Sequence, residues 1–115
     1  MDRKGFIAIH EDDDLIRELL KRWLGEAGYS VNPTAGESPR LVIADVPSPT
    51  AAPLRIEALR AVYAAPILVL SGRFRRGLAA SAEAARRLGV KRVLPKPFSR
   101  EELLSAVDEV LKATR

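Results

Sequence analysis

With 115 residues, 47% hydrophobic and 30% charged, the chain has material for one folded domain around one core. The net charge of +4 arises from 19 basic and 15 acidic residues, and aromatics make up only 5%. That balance lacks the dense basic stripe and interleaved aromatics of a nucleic-acid module, so the cluster Arg73, Arg75, Arg76, Arg86, Arg87, Lys91 and Arg92 reads as a solvated face. The absence of cysteine excludes a disulfide framework and a thiolate metal site. No apolar run nears the roughly 20 residues of a membrane span, and Met1-Asp2-Arg3-Lys4 leads into a strand-length run rather than a secretory leader. A cytoplasmic protein with no direct nucleic-acid or membrane binding is expected.

Strand-length apolar runs alternate with helical patterns, which points to an α/β fold with a parallel sheet. The first run is Phe6-Ile7-Ala8-Ile9, followed by His10, Glu11 and Asp12. Asp13 or Asp14 is placed to cap a helix whose inward face is Ile16, Leu19, Leu20, Trp23, Leu24 and Ala27, stopped by Gly28. Tyr29 to Val31 reads as a short second strand. The stretch Asn32 to Arg40 holds two prolines and a glycine, so a loop or single turn is expected there in place of a helix. Leu41-Val42-Ile43-Ala44 then leads to Asp45. After residues 46–53 a helix is expected near Leu54–Tyr63, with Ile56, Leu59, Val62 and Tyr63 inward. Ile67-Leu68-Val69-Leu70 leads to Ser71 and Gly72, and SGRFRRG reads as an extended loop. A helix over Leu78–Leu88 ends at Gly89. Val93-Leu94-Pro95 leads to Lys96, and Ser99-Arg100-Glu101-Glu102 has the capping-box pattern for a last helix with Leu103, Leu104, Val107, Val110 and Leu111 inward.

Four hydrophobic runs thus end in Glu11/Asp12, Asp45, Ser71 and Lys96. In an open parallel sheet, ligands bind beyond the carboxyl ends of the strands. Acids, a hydroxyl and an ammonium are what metal-assisted phosphoryl transfer uses. Taken singly, each has a plain structural reading: Glu11 and Asp12 as helix caps, Asp45 as a turn residue, Ser71 as a loop start, Lys96 as a solvated lysine. Their joint order favours a site. His10 reads as a packed or hydrogen-bonded histidine, because a metal site for phosphoryl transfer wants oxygen rather than imidazole, and Trp23 reads as core packing.

In IAIHEDDDLIRELLKRWLGEAGYSV, LVIADVPSP, APILVLSG and VLPKPFSREELLSAV the chain resembles the receiver domain of bacterial two-component response regulators. The resemblance covers nearly the whole chain as a single domain, residues 1–115. It implies a flavodoxin-like, doubly wound, five-stranded parallel sheet of order 2-1-3-4-5, with the helix after strand 2 short or absent. It implies that Asp45 is the phosphoacceptor, taking a phosphoryl group from a histidine kinase or histidine phosphotransferase. Mg²⁺ would be held by Glu11, Asp12, Asp45 and the Pro47 backbone carbonyl. Ser71 and Lys96 would bind phosphoryl oxygens, Gly72 would leave room for the group, and Lys96-Pro97 would be a cis peptide. Any catalysis would be limited to self-phosphorylation and self-dephosphorylation of Asp45. The output partner is not specified by any motif, and Arg73 would sit where it tunes phosphoryl lifetime.

The chain departs from that pattern in three places. Asp12 and Asp45 are 33 positions apart, roughly ten fewer than the resemblance implies, and the shortfall falls at NPTAGESPR. Such a gap, near three helical turns, would leave a sheet face or edge partly uncovered, for a homodimer contact or a reshaped partner face. The interval from Asp45 to Ser71 is slightly short and that from Ser71 to Lys96 about one turn long. Val93 stands where receivers usually carry an aromatic that swings inward, so a weaker or altered two-state switch is expected. The alternative function is a phosphorylation-independent interaction or dimerisation module. A phosphatase with an aspartate nucleophile is disfavoured, because Pro47 occupies the place of its second acid.

Overall fold

The computed structural model describes residues 4–31, 36–46, 50–72 and 78–113, with the backbone alone for 78–81. The elements are β1 (Ile7–His10), α1 (Asp14–Glu26), β2 (Leu41–Asp45), α2 (Ala52–Val62), β3 (Ile67–Ser71), α3 (Leu78–Leu88), β4 (Arg92–Pro95) and α4 (Arg100–Ala113). The four strands form one parallel sheet in the order β1-β2-β3-β4. The register sets Ile9 against Ile43, Ile43 against Leu68 and Leu68 against Arg92.

The strands read as near-continuous apolar runs because both faces are covered. Side chains alternate between the faces. Phe6, Ala8, Val42, Ala44, Val69 and Val93 pack under α2 and α3, through Ile56, Leu59, Ala84 and Ala85. Ile7, Leu41, Ile43, Leu68, Leu70 and Leu94 pack under α1 and α4, through Leu20, Leu24, Leu103, Val107 and Val110. The local signals at the helix ends hold. Asp13 accepts from Ile16 N at 3.0 Å and caps α1, while Gly28 takes φ of 101° beyond its C-terminus, a conformation that favours glycine. Ser99 and Glu102 close a reciprocal capping box at 3.0 and 2.8 Å.

The expected strand Tyr29–Val31 is corrected to a single parallel bridge, Phe6 to Ser30. Ser30 N donates to the Gly5 carbonyl and Ile7 N to the Ser30 carbonyl, both at 2.8 Å, while the Phe6 carbonyl accepts Arg40 N on the opposite edge of the strand. The segment therefore lies where the outermost strand of a 2-1-3-4-5 sheet belongs. Three residues between Gly28 and the Asn32-Pro33 pair are too few to extend a ladder. Described residues 36–40 hold no helix, as expected; residues 32–35 and the loop 73–77 lie outside the described residues.

Two expectations about exposure change. Phe6 and Ala8 are buried, so the described part of the sheet face is not left bare. Tyr63, just past α2, packs over that cluster. Large exposed apolar side chains lie instead on the helices: on α2, Val62, expected inward, is 72% exposed, and Leu54 is 78% exposed. The inward face is carried by Ala52, Ile56 and Leu59, at a spacing that turns Val62 outward.

Leu68 lies fully buried at the centre of the sheet, whereas Leu15 is 71% exposed on α1. Leu68→Ala is expected to lower unfolding free energy by about 2–5 kcal/mol, and Leu15→Ala to change it by less than about 0.5 kcal/mol, both read from urea denaturation.

Candidate functional site

The site is assembled from the ends of the parallel strands. Asp45 and Ser71 are the last residues of β2 and β3, while Glu11 and Lys96 immediately follow β1 and β4. Lys96 Nζ donates to Asp45 Oδ1 at 2.8 Å and lies 2.9 Å from Glu11 Oε1. One ammonium thus sits between two carboxylates that are far apart in sequence.

Glu11 is 4% exposed, an unusual place for a carboxylate. Its Oε2 accepts Asp13 N at 3.1 Å, and its backbone carbonyl accepts Arg17 Nη1 at 2.9 Å. Its Oε1 has the Lys96 charge nearby but no aligned hydrogen bond. The acidic run therefore divides its work. Glu11 turns inward, Asp13 caps α1, Asp14 pairs with Arg17, and Asp12 is exposed.

Lys96 is positioned by its own backbone: its N–H donates to the Ser71 carbonyl at 3.0 Å, and Lys96-Pro97 is cis, as the resemblance implied. Burial pulls its pKa down, but the hydrogen bond to Asp45 and the negative charges of Asp45 and Glu11 outweigh that, and the net direction is up. Ser71 is fully buried at the end of β3. Among the described residues, a methyl group built on Gly72 would meet nothing nearer than Lys96 Cβ, at an ordinary contact distance of 3.9 Å.

The structure brings Glu11, Asp45 and Lys96 together. Ser71 is tied to the cluster through its carbonyl and Lys96 N. Asp12 stays on the surface. The Pro47 carbonyl and Arg73 lie outside the described residues. His10 points to the other face of β1, where Nε2 lies 2.8 Å from Tyr63 Oη. Burial and the Arg55 charge lower its pKa. The packed reading of His10 is therefore the one the structure bears out. Val93 is fully buried beneath α2 and α3.

Among the described residues, no three Asp, Glu, His or Cys side chains gather as a ready-made metal cluster. The donors still fit Mg²⁺ in kind. Glu11 and Asp45 supply hard oxygens from adjoining strand ends, and the buried Glu11 Oε1 lacks an aligned donor. Lys96 currently compensates both.

Sequence reasoning missed an apolar groove of about 340 Å³ beside the lysine, lined by Ile16, Leu19, Trp23, Lys96, Pro97 and Phe98. Trp23 meets Phe98 edge-on with ring centroids 6.3 Å apart. The signal was present in the spacing of Ile16, Leu19 and Trp23, which wraps one side of α1 beyond its fully buried Leu20 and Leu24. A larger cleft of about 640 Å³, lined by Pro39, Arg40, Pro66 and Lys91, lies at the opposite ends of the strands.

No protein-family model matches the chain, and no curated protein matches its sequence. Solved structures do. A response regulator receiver protein from Burkholderia phymatum superposes with a TM-score of 0.71 at 23% identity, over 95% of this chain and 96% of that one. A CheY-like response regulator from Mesorhizobium loti gives 0.64 at 24%, over 93% and 98%. Full-length FixJ from B. japonicum gives 0.64 at 26%, over 98% of this chain and 62% of that one. The chain has the flavodoxin-like fold of response regulator receiver domains, reduced to four strands and four helices among the described residues.

Lys96→Met leaves two carboxylates without their cation and is expected to destabilise the fold by about 1–2 kcal/mol at pH 7, reduced from the fully buried case by partial solvent exposure. The lysine's folded-state pKa is raised above its ordinary 10.5. Its contribution is therefore complete below that value and is lost as pH rises through the higher folded value. The stability gap between wild type and Lys96→Met, measured by urea denaturation at a series of pH values, is expected to close on the alkaline side as the lysine loses its proton.

Proposed function

We propose that the chain is a phosphoaccepting receiver in a two-component phosphorelay, with Asp45 as the acceptor. The single observation that carries this is the Lys96 ammonium held between Asp45 and the buried Glu11 at the carboxyl ends of the sheet. Receiver folds in the structural relatives support the same reading.

In this reading an Asp45 carboxylate oxygen attacks the phosphorus of a phosphohistidine on a histidine kinase or phosphotransferase. The P–N bond breaks, the O–P bond forms, and the imidazole leaves with the electron pair and takes a proton. Glu11 and Asp45, with Asp12 and the Pro47 carbonyl from the resemblance, would hold Mg²⁺, which when bound neutralises the approaching phosphoryl oxygens. Lys96 exchanges a carboxylate partner for a phosphoryl oxygen and keeps a charge-assisted hydrogen bond throughout. Ser71 supplies a hydroxyl from the neighbouring strand end, and Gly72, lacking a side chain, leaves room for the group. The changed hydrogen bonding at Ser71 and Lys96 then alters affinity for an output protein or domain.

A second reading is a receiver-fold interaction module that works without phosphorylation. The exposed Leu54 and Val62 on α2, and Val93 in place of an aromatic, favour it.

The two readings separate in a titration with beryllofluoride and Mg²⁺ followed by amide NMR, with Trp23 fluorescence as a second probe. A phosphoaccepting site is expected to give saturable, Mg²⁺-dependent shifts at Ser71 and Lys96 that Asp45→Ala abolishes. With phosphoramidate as donor, Lys96→Ala is expected to slow phosphoryl uptake by about 100-fold or more. Absence of any response in wild type would overturn the phosphoaccepting reading and leave the interaction module.

A further inference from the structure

Surface helices ordinarily present one apolar face to the core and a polar face to water. α4 obeys this, with Glu101, Glu102, Asp108, Glu109 and Lys112 outward. α2 does not. Ala52, Ile56 and Leu59 are buried against the sheet, yet Leu54, Ala58, Ala61 and Val62 are exposed. At the helical repeat these four fall within an arc of roughly 100°, a continuous apolar stripe along the outer side. α3 flanks α2 on one side. The described residues 36–40 place no helix on the other.

The charges bordering the stripe are of opposite sign on its two sides. Glu57, exposed, lies along one edge; Arg55, half-buried and close enough to His10 for its charge to act there, lies along the other. Arg60, farther round, is turned away to the Gly89 carbonyl at the end of α3. A twofold axis parallel to the helix brings the Glu57 edge of one copy against the Arg55 edge of the other, and does so twice. An antiparallel pairing would set like edge on like edge. Ala58 and Ala61 in mid-stripe permit close approach of two backbones, with Leu54 and Val62 packing above and below.

We propose that the outer face of α2 is a self-association surface on which a second copy of this chain docks its own α2 in parallel. Two eleven-residue helices bury less than the roughly 1,200 Å² typical of stable complexes. The dimer is accordingly weak and concentration-dependent, with a dissociation constant on the order of 10 µM to 1 mM.

Sedimentation velocity of the full chain across about 10 µM to 1 mM tests this. The weight-average mass of wild type is expected to climb towards that of a dimer. The double variant Leu54→Glu/Val62→Glu is expected to associate at least about 10-fold more weakly, with unchanged far-UV circular dichroism. Glu57→Arg and Arg55→Glu are each expected to weaken self-association, and an equimolar mixture of the two to restore it, because each then supplies the edge the other lacks. Should the double variant unfold, the charge pair decides, since it leaves the stripe intact. A monomer over the whole range, a dimer indifferent to Leu54→Glu/Val62→Glu, or a charge-variant mixture no tighter than its components would each overturn the proposal.

Discussion

One buried charge balance governs the working end of this molecule. Glu11 is removed from water, and an isolated carboxylate there would be costly. The Lys96 ammonium offsets that cost and reaches Asp45 with the same group. The compensation requires β1, β2 and β4 to end at the same level, which the parallel register provides. It extends into the helices as well, because Glu11 Oε2 holds Asp13 N, and Asp13 caps α1. Ser71 contributes through its carbonyl, which fixes the backbone of Lys96. The site is consequently a property of the whole sheet, and no single loop carries it.

Much of this was legible in the residues. Parallel strands buried on both faces write themselves as unbroken apolar runs, so β1 to β4 and the polar residue ending each could be read directly. The caps at Asp13 and Ser99 are local chemistry and were equally plain. What eluded the sequence depended on three-dimensional detail. Which of Glu11, Asp12 and Asp13 turns inward is decided by the position of Lys96, 85 residues or so beyond them. Tyr29–Val31 has strand-forming residues, but its length allows only one bridge. Val62 looks like core by composition, and only the phase set by Ile56 and Leu59 turns it outward.

The short passage from Ser30 to Leu41 has a different effect from the one its length implies. Loss of a covering helix was expected to bare the sheet. The strand residues Phe6 and Ala8 are nonetheless buried, with Tyr63 packed over their cluster from the end of α2. The apolar surface without a partner has thereby moved outward by one layer, from strand to helix. This is the economical outcome: a bare parallel sheet exposes large side chains and its edge to water, whereas a helix satisfies its own main-chain hydrogen bonds and exposes side chains alone.

The hydrogen bond between His10 and Tyr63 has a mechanical meaning. His10 and Glu11 are joined by a single peptide unit, yet they serve opposite faces of the sheet: one grips the end of α2, the other belongs to the charged cluster. One peptide unit at the tip of β1 thus ties the end of α2, on one face of the sheet, to the charged cluster on the other.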